Sequence, residues 1–355
     1  MARRVVFIQT AFLGDVVLAT AALEAWHARF PDDRIGIVVR AGNEAVFEGH
    51  PWVGEVHVWA KSKPARYFRL LSLAWSLRGR YDTAVLIQRH ASSGILALLS
   101  GASERIGYAT HPLAWTFHRR VLHTLGDGRH EVDRLLDLLP PNLNLNLNPN
   151  LNPNLNPNLH PNLNLNLHPT PRHEAEAAPW LAGPAPVVLA PASVWTTKQW
   201  PEARWVELGR LLKAADFARP VVLIGGPGDR DLLERIAEGI GGASIARTSI
   251  LGTAALLKGA AALVANDSGP VHIASSVGCP TVALFLSTVP AFGFGPRAPG
   301  SVVVEEELAC RPCGVHGHTA CPLGHFECAT RIAPARVAAA VEAVVATRAH
   351  PSRQP

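Results

Sequence analysis

The sequence predicts an α/β protein made of two doubly wound parallel-sheet domains, and three observations predict it. Short apolar runs rich in Val, Ile and Leu alternate with longer runs of helical period, the signature of β-α-β units. At 355 residues the chain is long enough for two such domains, each with its own core. Midway, the composition breaks abruptly into Asn-Leu and Asn-Pro repeats, where two domains should join.

In the first half, residues 5–9 read as a buried strand and Leu13-Gly14-Asp15 as the turn that follows. The apolar run starting at Val5 breaks at Gln9-Thr10, which suits a strand better than a signal peptide. A helix is expected over 16–29, with Val17, Ala21, Leu23 and Trp26 apolar, then a strand over 34–39. Further strands fall at 56–59 and 83–87, separated by a helix from 65 to 78. In parallel sheets of this kind ligands bind beyond the carboxyl ends of the strands, and Asp15 sits at that edge. It reads either as a helix N-cap or as a general base facing a cleft, and the pattern alone does not choose.

The 65–80 stretch carries Arg66, Arg69, Arg78 and Arg80 among Tyr67, Phe68, Leu70, Leu71, Leu73 and Trp75, and His118-Arg119-Arg120 forms a second basic cluster. These residues either hold an anionic lipid or a phosphorylated acceptor at a membrane surface, or form a solvated helix face. A helix over 130–139 closes a first domain of residues 1–139. Residues 140–178 are read as a low-complexity Asn/Leu/Pro insert and linker. There Pro149, Pro153, Pro157 and Pro161 would break any strand ladder, so disorder and no catalytic role are expected.

Residues 179–355 form the second domain. A strand at 186–190 leads into a hydroxyl-rich loop containing Ser193, Thr196, Thr197 and Lys198, then a helix over 201–215. The strand at 221–224 ends in Gly225-Gly226-Pro227-Gly228-Asp229, which lacks the spacing of a dinucleotide fingerprint or a Walker loop. A strand at 261–265 feeds Asn266-Asp267-Ser268-Gly269-Pro270-Val271-His272, and another strand lies at 281–285. Gly269 permits close backbone approach, and Pro270 suits the first turn of a helix. That helix start is a ready anion site to which Ser268 and His272 can add donors; alternatively Asp267 or Ser268 is a plain N-cap and His272 a core residue. Near the end, Cys310, Cys313, Cys321 and Cys328 either hold structural zinc or are reduced thiols packed under a loop.

Nearly half the residues, 48%, are apolar and the formal net charge is +5. This suits a soluble protein with anionic substrates or an anionic surface as partner, and no nucleic-acid motif accompanies it. No stretch is long and apolar enough to span a bilayer, so the cytoplasm is the expected compartment.

The Gly14-Asp15 turn, Lys198-Gln199-Trp200-Pro201, Asn266-Asp267-Ser268-Gly269-Pro270 with His272, and Cys321-Pro322-Leu323-Gly324-His325 together resemble the ADP-heptose:lipopolysaccharide heptosyltransferases of glycosyltransferase family 9. The last run is most similar to the heptosyltransferase II branch. The resemblance covers nearly the whole chain outside the insert. It implies the GT-B architecture, two Rossmann-like domains facing a central cleft, and a metal-independent, inverting transfer of heptose from ADP-heptose to the lipopolysaccharide inner core, with no cofactor. It assigns Asp15 as base, Lys198 to the diphosphate, and Asp267, Ser268, Gly269 and His272 to the donor, with Ser193 a looser match in the phosphate loop. Arg66, Arg69, Arg119 and Arg120 are the acceptor-binding candidates, and a peripheral place at the cytoplasmic face of the inner membrane follows. Two departures stand out: Ala21 where the family often has Pro, and Leu286 where it often has Gly, the latter expected to reshape the donor pocket. The rival readings are a family 9 enzyme using another nucleotide-sugar and a catalytically silent nucleotide-sugar-binding homologue.

Overall fold

The computed structural model describes residues 2–61, 65–140, 165–214 and 219–349, and the chain divides into two compact units, Met1–His168 and Pro169–Pro355. In the first, β1 (Arg4–Gln9), β2 (Arg34–Arg40), β3 (Val53–Trp59), β4 (Thr83–Leu86), β5 (Glu104–Tyr108) and β6 (Arg119–Val121) form one parallel sheet in the order β3-β2-β1-β4-β5-β6. Helices α1 (Leu13–Arg29), α2 (Arg66–Leu77), α3 (Ala91–Leu99) and α4 (Glu131–Leu136) belong to the same unit. The central strands are covered on both faces, which is why β1 reads as an unbroken apolar run: Val5, Val6, Phe7 and Ile8 are all fully buried.

The second unit contains α5 (Pro171–Leu181), β7 (Val187–Ala190), α6 (Glu202–Ala214), β8 (Val221–Leu223), α7 (Arg230–Ile240), β9 (Ser244–Ile245), α8 (Ile250–Gly259), β10 (Ala262–Asn266), α9 (Gly269–Ser276), β11 (Thr281–Phe285), β12 (Val302–Glu305), α10 (Glu327–Thr330) and α11 (Pro334–Ala349). Its sheet, also parallel, runs β12-β11-β10-β7-β8-β9. Counted from the first strand of each unit, both orders are 3-2-1-4-5-6, the Rossmann order. Each sheet reverses direction of growth once, between β1 and β4 and between β7 and β10, and there the loops diverge to leave a crevice. In the second core Trp200 and Trp205 meet edge to face at 5.3 Å, and their indole N–H groups donate to the carbonyls of Ala329 and Trp200, both at 3.2 Å.

Three expectations are corrected. Helix α1 begins at Leu13 rather than residue 16, because Phe12 occupies the N-cap place and Asp15 falls in the first turn. Residues 171–178, expected to belong to the linker, lie in α5, started by Pro171 at its first position and packed on α8, with Glu176 accepting from the Ser249 hydroxyl at 2.7 Å. The basic run at 119–120 lies in β6, a short edge strand whose charges discourage further pairing. The expectation of disorder concerns mostly residues 141–164, which lie outside the described residues; the chain resumes with Leu165 and Leu167 buried. No helix among the described residues is long and apolar enough to cross a membrane.

Candidate active site

In the second unit the loops after β7 and β10 flank the switch point, and the sequence candidates gather there. Asn266, fully buried at the end of β10, donates to the Pro191 carbonyl at 2.7 Å and accepts from the Trp200 amide at 3.1 Å. One side chain thus pins both ends of the 191–200 loop. Within that loop Gln199 Nε2 donates to the Ser193 carbonyl at 2.6 Å, and a short 3-10 turn, Thr196–Lys198, sets the lysine. Lys198 Nζ lies 2.5 Å from Asp267 Oδ2, which also accepts from the Thr288 hydroxyl at 2.7 Å. Thr197, buried beneath, accepts from the His318 amide at 2.8 Å, and Gly317 closes over the lysine stem. A Cβ on Gly317 would come within 3.1 Å of Lys198 Cγ, and its φ of +97° disfavours any side chain.

Helix α9 starts immediately after this carboxylate, with no side-chain cap on its N-terminus. Asp267 is engaged by Lys198 and Thr288, and the Ser268 hydroxyl donates backwards to the Asn266 carbonyl at 3.2 Å. The plain N-cap reading of these two residues is therefore set aside. The helix start is left as an uncapped positive end beside an ammonium, the arrangement that favours a bound phosphate.

His272 stands on the first turn of α9, buried, with Nδ1 lacking a hydrogen-bond partner among the described residues. Burial pushes its pKa down to about 4; Asp267 opposes that shift and Lys198 reinforces it. A folded-state pKa below the free value means the unfolded chain takes up the proton first. Its contribution is fully present above about pH 6.5 and is lost as pH falls towards about 4, amounting to about 2 kcal/mol between pH 7 and 5. Urea titrations at those two pH values should give wild type a larger drop than His272→Gln. Equal drops would contradict a buried neutral imidazole.

In the first unit the crevice edge is tied across the switch point by a reciprocal pair. The Thr10 amide donates to Gln88 Oε1 at 3.1 Å, and Gln88 Nε2 donates to the Thr10 hydroxyl at 2.7 Å. Asp15, partly buried in the first turn of α1, accepts from the Phe12 amide through Oδ2 at 3.2 Å. It is thus the third helical residue of a capping arrangement, and its carboxylate stays at the carboxyl edge of β1. Lys61 Nζ donates to the Thr10 carbonyl at 2.5 Å, and burial together with Arg40 and Arg66 lowers its pKa. His90 is lowered likewise by burial, with Lys61 and Arg89 adding to it. Arg40, Lys61, Arg89 and His90 escaped sequence reading, although each stands at or just beyond the end of β2, β3 or β4.

The acceptor candidates separate. Arg66, Arg69 and Arg120 lie at the surface, with Arg66 over the Tyr67 ring at 4.7 Å. Arg119 instead turns inward and donates to the carbonyls of Asp137, Leu138 and Leu139, satisfying acceptors left at the end of α4. Leu286 is fully buried in the core with Val264, Val282 and Leu284, so it packs the sheet rather than shaping a pocket wall. The four terminal cysteines form no disulfide, and burial beside Cys313, Cys321 and Cys310 pushes the Cys328 thiol up to about 11. Among the described residues the trio of His, Cys, Asp or Glu donors within 4.8 Å of one another is Glu24, His50 and His168.

A model of glycosyltransferase family 9 (heptosyltransferase) matches residues 70–323, most of the chain and both switch-point loops of the second unit. The chain belongs to glycosyltransferase family 9. As a family 9 glycosyltransferase it is 27% identical to lipopolysaccharide heptosyltransferase 1 of Pseudomonas aeruginosa, over 96% of this chain and 98% of that one. Its fold is similar to that of E. coli ADP-heptose lps heptosyltransferase II, with a TM-score of 0.74 at 20% identity over 98% and 99% of the two chains. It is also similar to E. coli heptosyltransferase WaaC with ADP, TM-score 0.68 at 22% identity over 96% and 99%. The two Rossmann-order units are those of the GT-B glycosyltransferases. The sequence relative carries the number 1, whereas the structural neighbour at TM-score 0.74 carries the number II.

Proposed function

We propose that this family 9 glycosyltransferase transfers heptose from ADP-L-glycero-D-manno-heptose to the lipopolysaccharide inner core in a single inverting displacement. The observation that carries the reading is the Lys198–Asp267 pair beside the uncapped start of α9 at the second switch point. As ADP departs, negative charge grows on its diphosphate; a fixed ammonium and helix-start amides stabilise that charge without a divalent ion. The neutral imidazole of His272 adds a donor, and Ser193, Ser268 and Gly269 line the same loops. Asp15 takes the proton of the attacking acceptor hydroxyl. Arg40, Lys61, Arg66 and Arg89 supply the positive edge that an anionic core sugar requires, and His90, held neutral by burial beside Lys61 and Arg89, adds a hydrogen-bonding ring there. Calorimetric titration of the purified protein with ADP, UDP and GDP in the presence of a chelator tests the donor. Preferential, metal-independent ADP binding is expected; preference for UDP or GDP would move the donor to another nucleotide-sugar, and absence of binding would leave the silent homologue.

A peripheral seat at the inner membrane is supported by α2. Its inner face buries Leu70, Ala74 and Leu77, yet its outer face is not the solvated basic surface that its arginines suggested: Tyr67, Phe68, Leu71 and Trp75 are each more than half exposed. Aromatic rings interleaved with Arg66 and Arg69 are the composition of an interfacial helix on anionic lipid. Arg66→Gln combined with Arg69→Gln should weaken binding to phosphatidylglycerol-containing vesicles by about 2 kcal/mol, roughly thirtyfold. Co-sedimentation measures it, and unchanged binding would remove the membrane from the account.

A further inference from the structure

Outside the catalytic edges, the first unit gathers Glu24 from α1, His50 from the loop before β3, and His168 from the last residues before the second unit. His168 Nε2 lies 2.7 Å from Glu24 Oε1, and His50 Nε2 lies 3.7 Å from the same oxygen. The two imidazole centroids are 4.6 Å apart. The second oxygen of Glu24 accepts from the Trp52 indole at 2.8 Å, which turns the first towards the histidines. His50 is the informative member: its side chain is 1% exposed, and Nε2, aimed at the other two, has no hydrogen-bond partner among the described residues. An orphaned buried nitrogen is costly unless something binds it.

We infer that Glu24, His50 and His168 form a binding site for a zinc-class divalent transition metal ion that fastens the chain at residues 165–168 to helix α1. The donor set, two imidazoles and one carboxylate, is one that zinc accepts, with water completing a four-coordinate shell. In such a shell, with bonds of roughly 2.1 Å, donor atoms sit about 3.4 Å apart. The observed 2.7 Å and 3.7 Å bracket that value. Trp52 acts behind the ligands, orienting Glu24 as outer-shell donors do. Binding through His50 Nε2 requires the tautomer protonated at Nδ1, so the contact of Nδ1 with the Trp52 amide, long at 3.3 Å, is given up. The site has a structural task within reach. Leu165 and Leu167 insert into the core and the Asn166 amide donates to Thr20 at 3.1 Å, so a metal on His168 would clamp the segment's end to the same helix that carries Asp15.

The test uses the full chain without an affinity tag, stripped with chelator and titrated with Co2+ and then Zn2+. Wild type should take up one equivalent of Co2+ with visible d–d bands of a nitrogen-and-oxygen shell and no thiolate charge-transfer band, and Zn2+ should displace it. His168→Ala, a partly exposed position that tolerates truncation, should weaken the affinity more than a hundredfold, beyond the 10–100-fold typical of outer-shell losses. Glu24→Gln should do likewise, while Cys310→Ser with Cys313→Ser should leave the spectrum unchanged. No uptake by wild type, equal affinity in His168→Ala, or a thiolate band abolished by the cysteine changes would each overturn the assignment.

Discussion

Lys198→Ala is expected to lower kcat/KM for transfer by about a thousandfold, the upper end of what one charge-stabilising donor supplies. Lys198 is paired with Asp267 at 2.5 Å and its stem lies against Gly317, so the fold itself sets the direction of the ammonium. Truncation also leaves the Asp267 carboxylate buried with Thr288 as partner, and breaking a buried pair on one side is destabilising by about 3–5 kcal/mol. Lys198→Met with Asp267→Asn separates the two effects. The double variant should regain most of the melting temperature lost by Lys198→Ala and none of its activity. Lys198→Arg should not restore full transfer, because a planar guanidinium fork does not reproduce the single-point ammonium contact that Nζ makes with Asp267. A double variant that recovers both stability and transfer would show that the lysine matters only for folding.

The second large effect is expected at Asp15. Asp15→Asn should reduce kcat by about 10²–10⁴-fold, the range of general base catalysis, while ADP affinity stays within twofold. Asparagine keeps the side-chain oxygen that accepts from the Phe12 amide, so the start of α1 is preserved and a loss of rate cannot be charged to a lost cap. Steady-state kinetics beside calorimetry with ADP make the comparison. Unchanged kcat would return Asp15 to a purely structural place.

The fold was legible because two buried parallel sheets demand apolar runs at strand spacing, and residues 5–9, 186–190, 261–265 and 281–285 are such runs. The donor loop was legible because its turn chemistry is local: Gly269 and Pro270 announce a helix start at a strand end. What stayed hidden depends on distance in the chain. Nothing near Thr10 announces Gln88, and nothing near Asn266 announces that it holds both Pro191 and Trp200, yet these bonds give each crevice its edge. Arg119 and Arg120 are neighbours in sequence, but strand alternation sends Arg119 to the carbonyls after α4 and Arg120 to the surface. Helix α2 misled for a related reason, since charge counting cannot say which of two apolar faces is buried. The start of α1 lies three residues before the one the pattern suggests because Asp15, which reads as an N-cap, is the third helical residue. The N-cap place is held by Phe12, an apolar residue that carries no capping signal.

The proposed chemistry is tested most directly by a transfer reaction. The purified protein is given ADP-L-glycero-D-manno-heptose and a heptose-deficient lipopolysaccharide core in the presence of a chelator, and the product is followed by NMR at the anomeric carbon of the transferred sugar. One heptose joined to the core with its anomeric configuration inverted is the expected result. Retained configuration, or an acceptor left unchanged while ADP-heptose remains intact, would contradict the account.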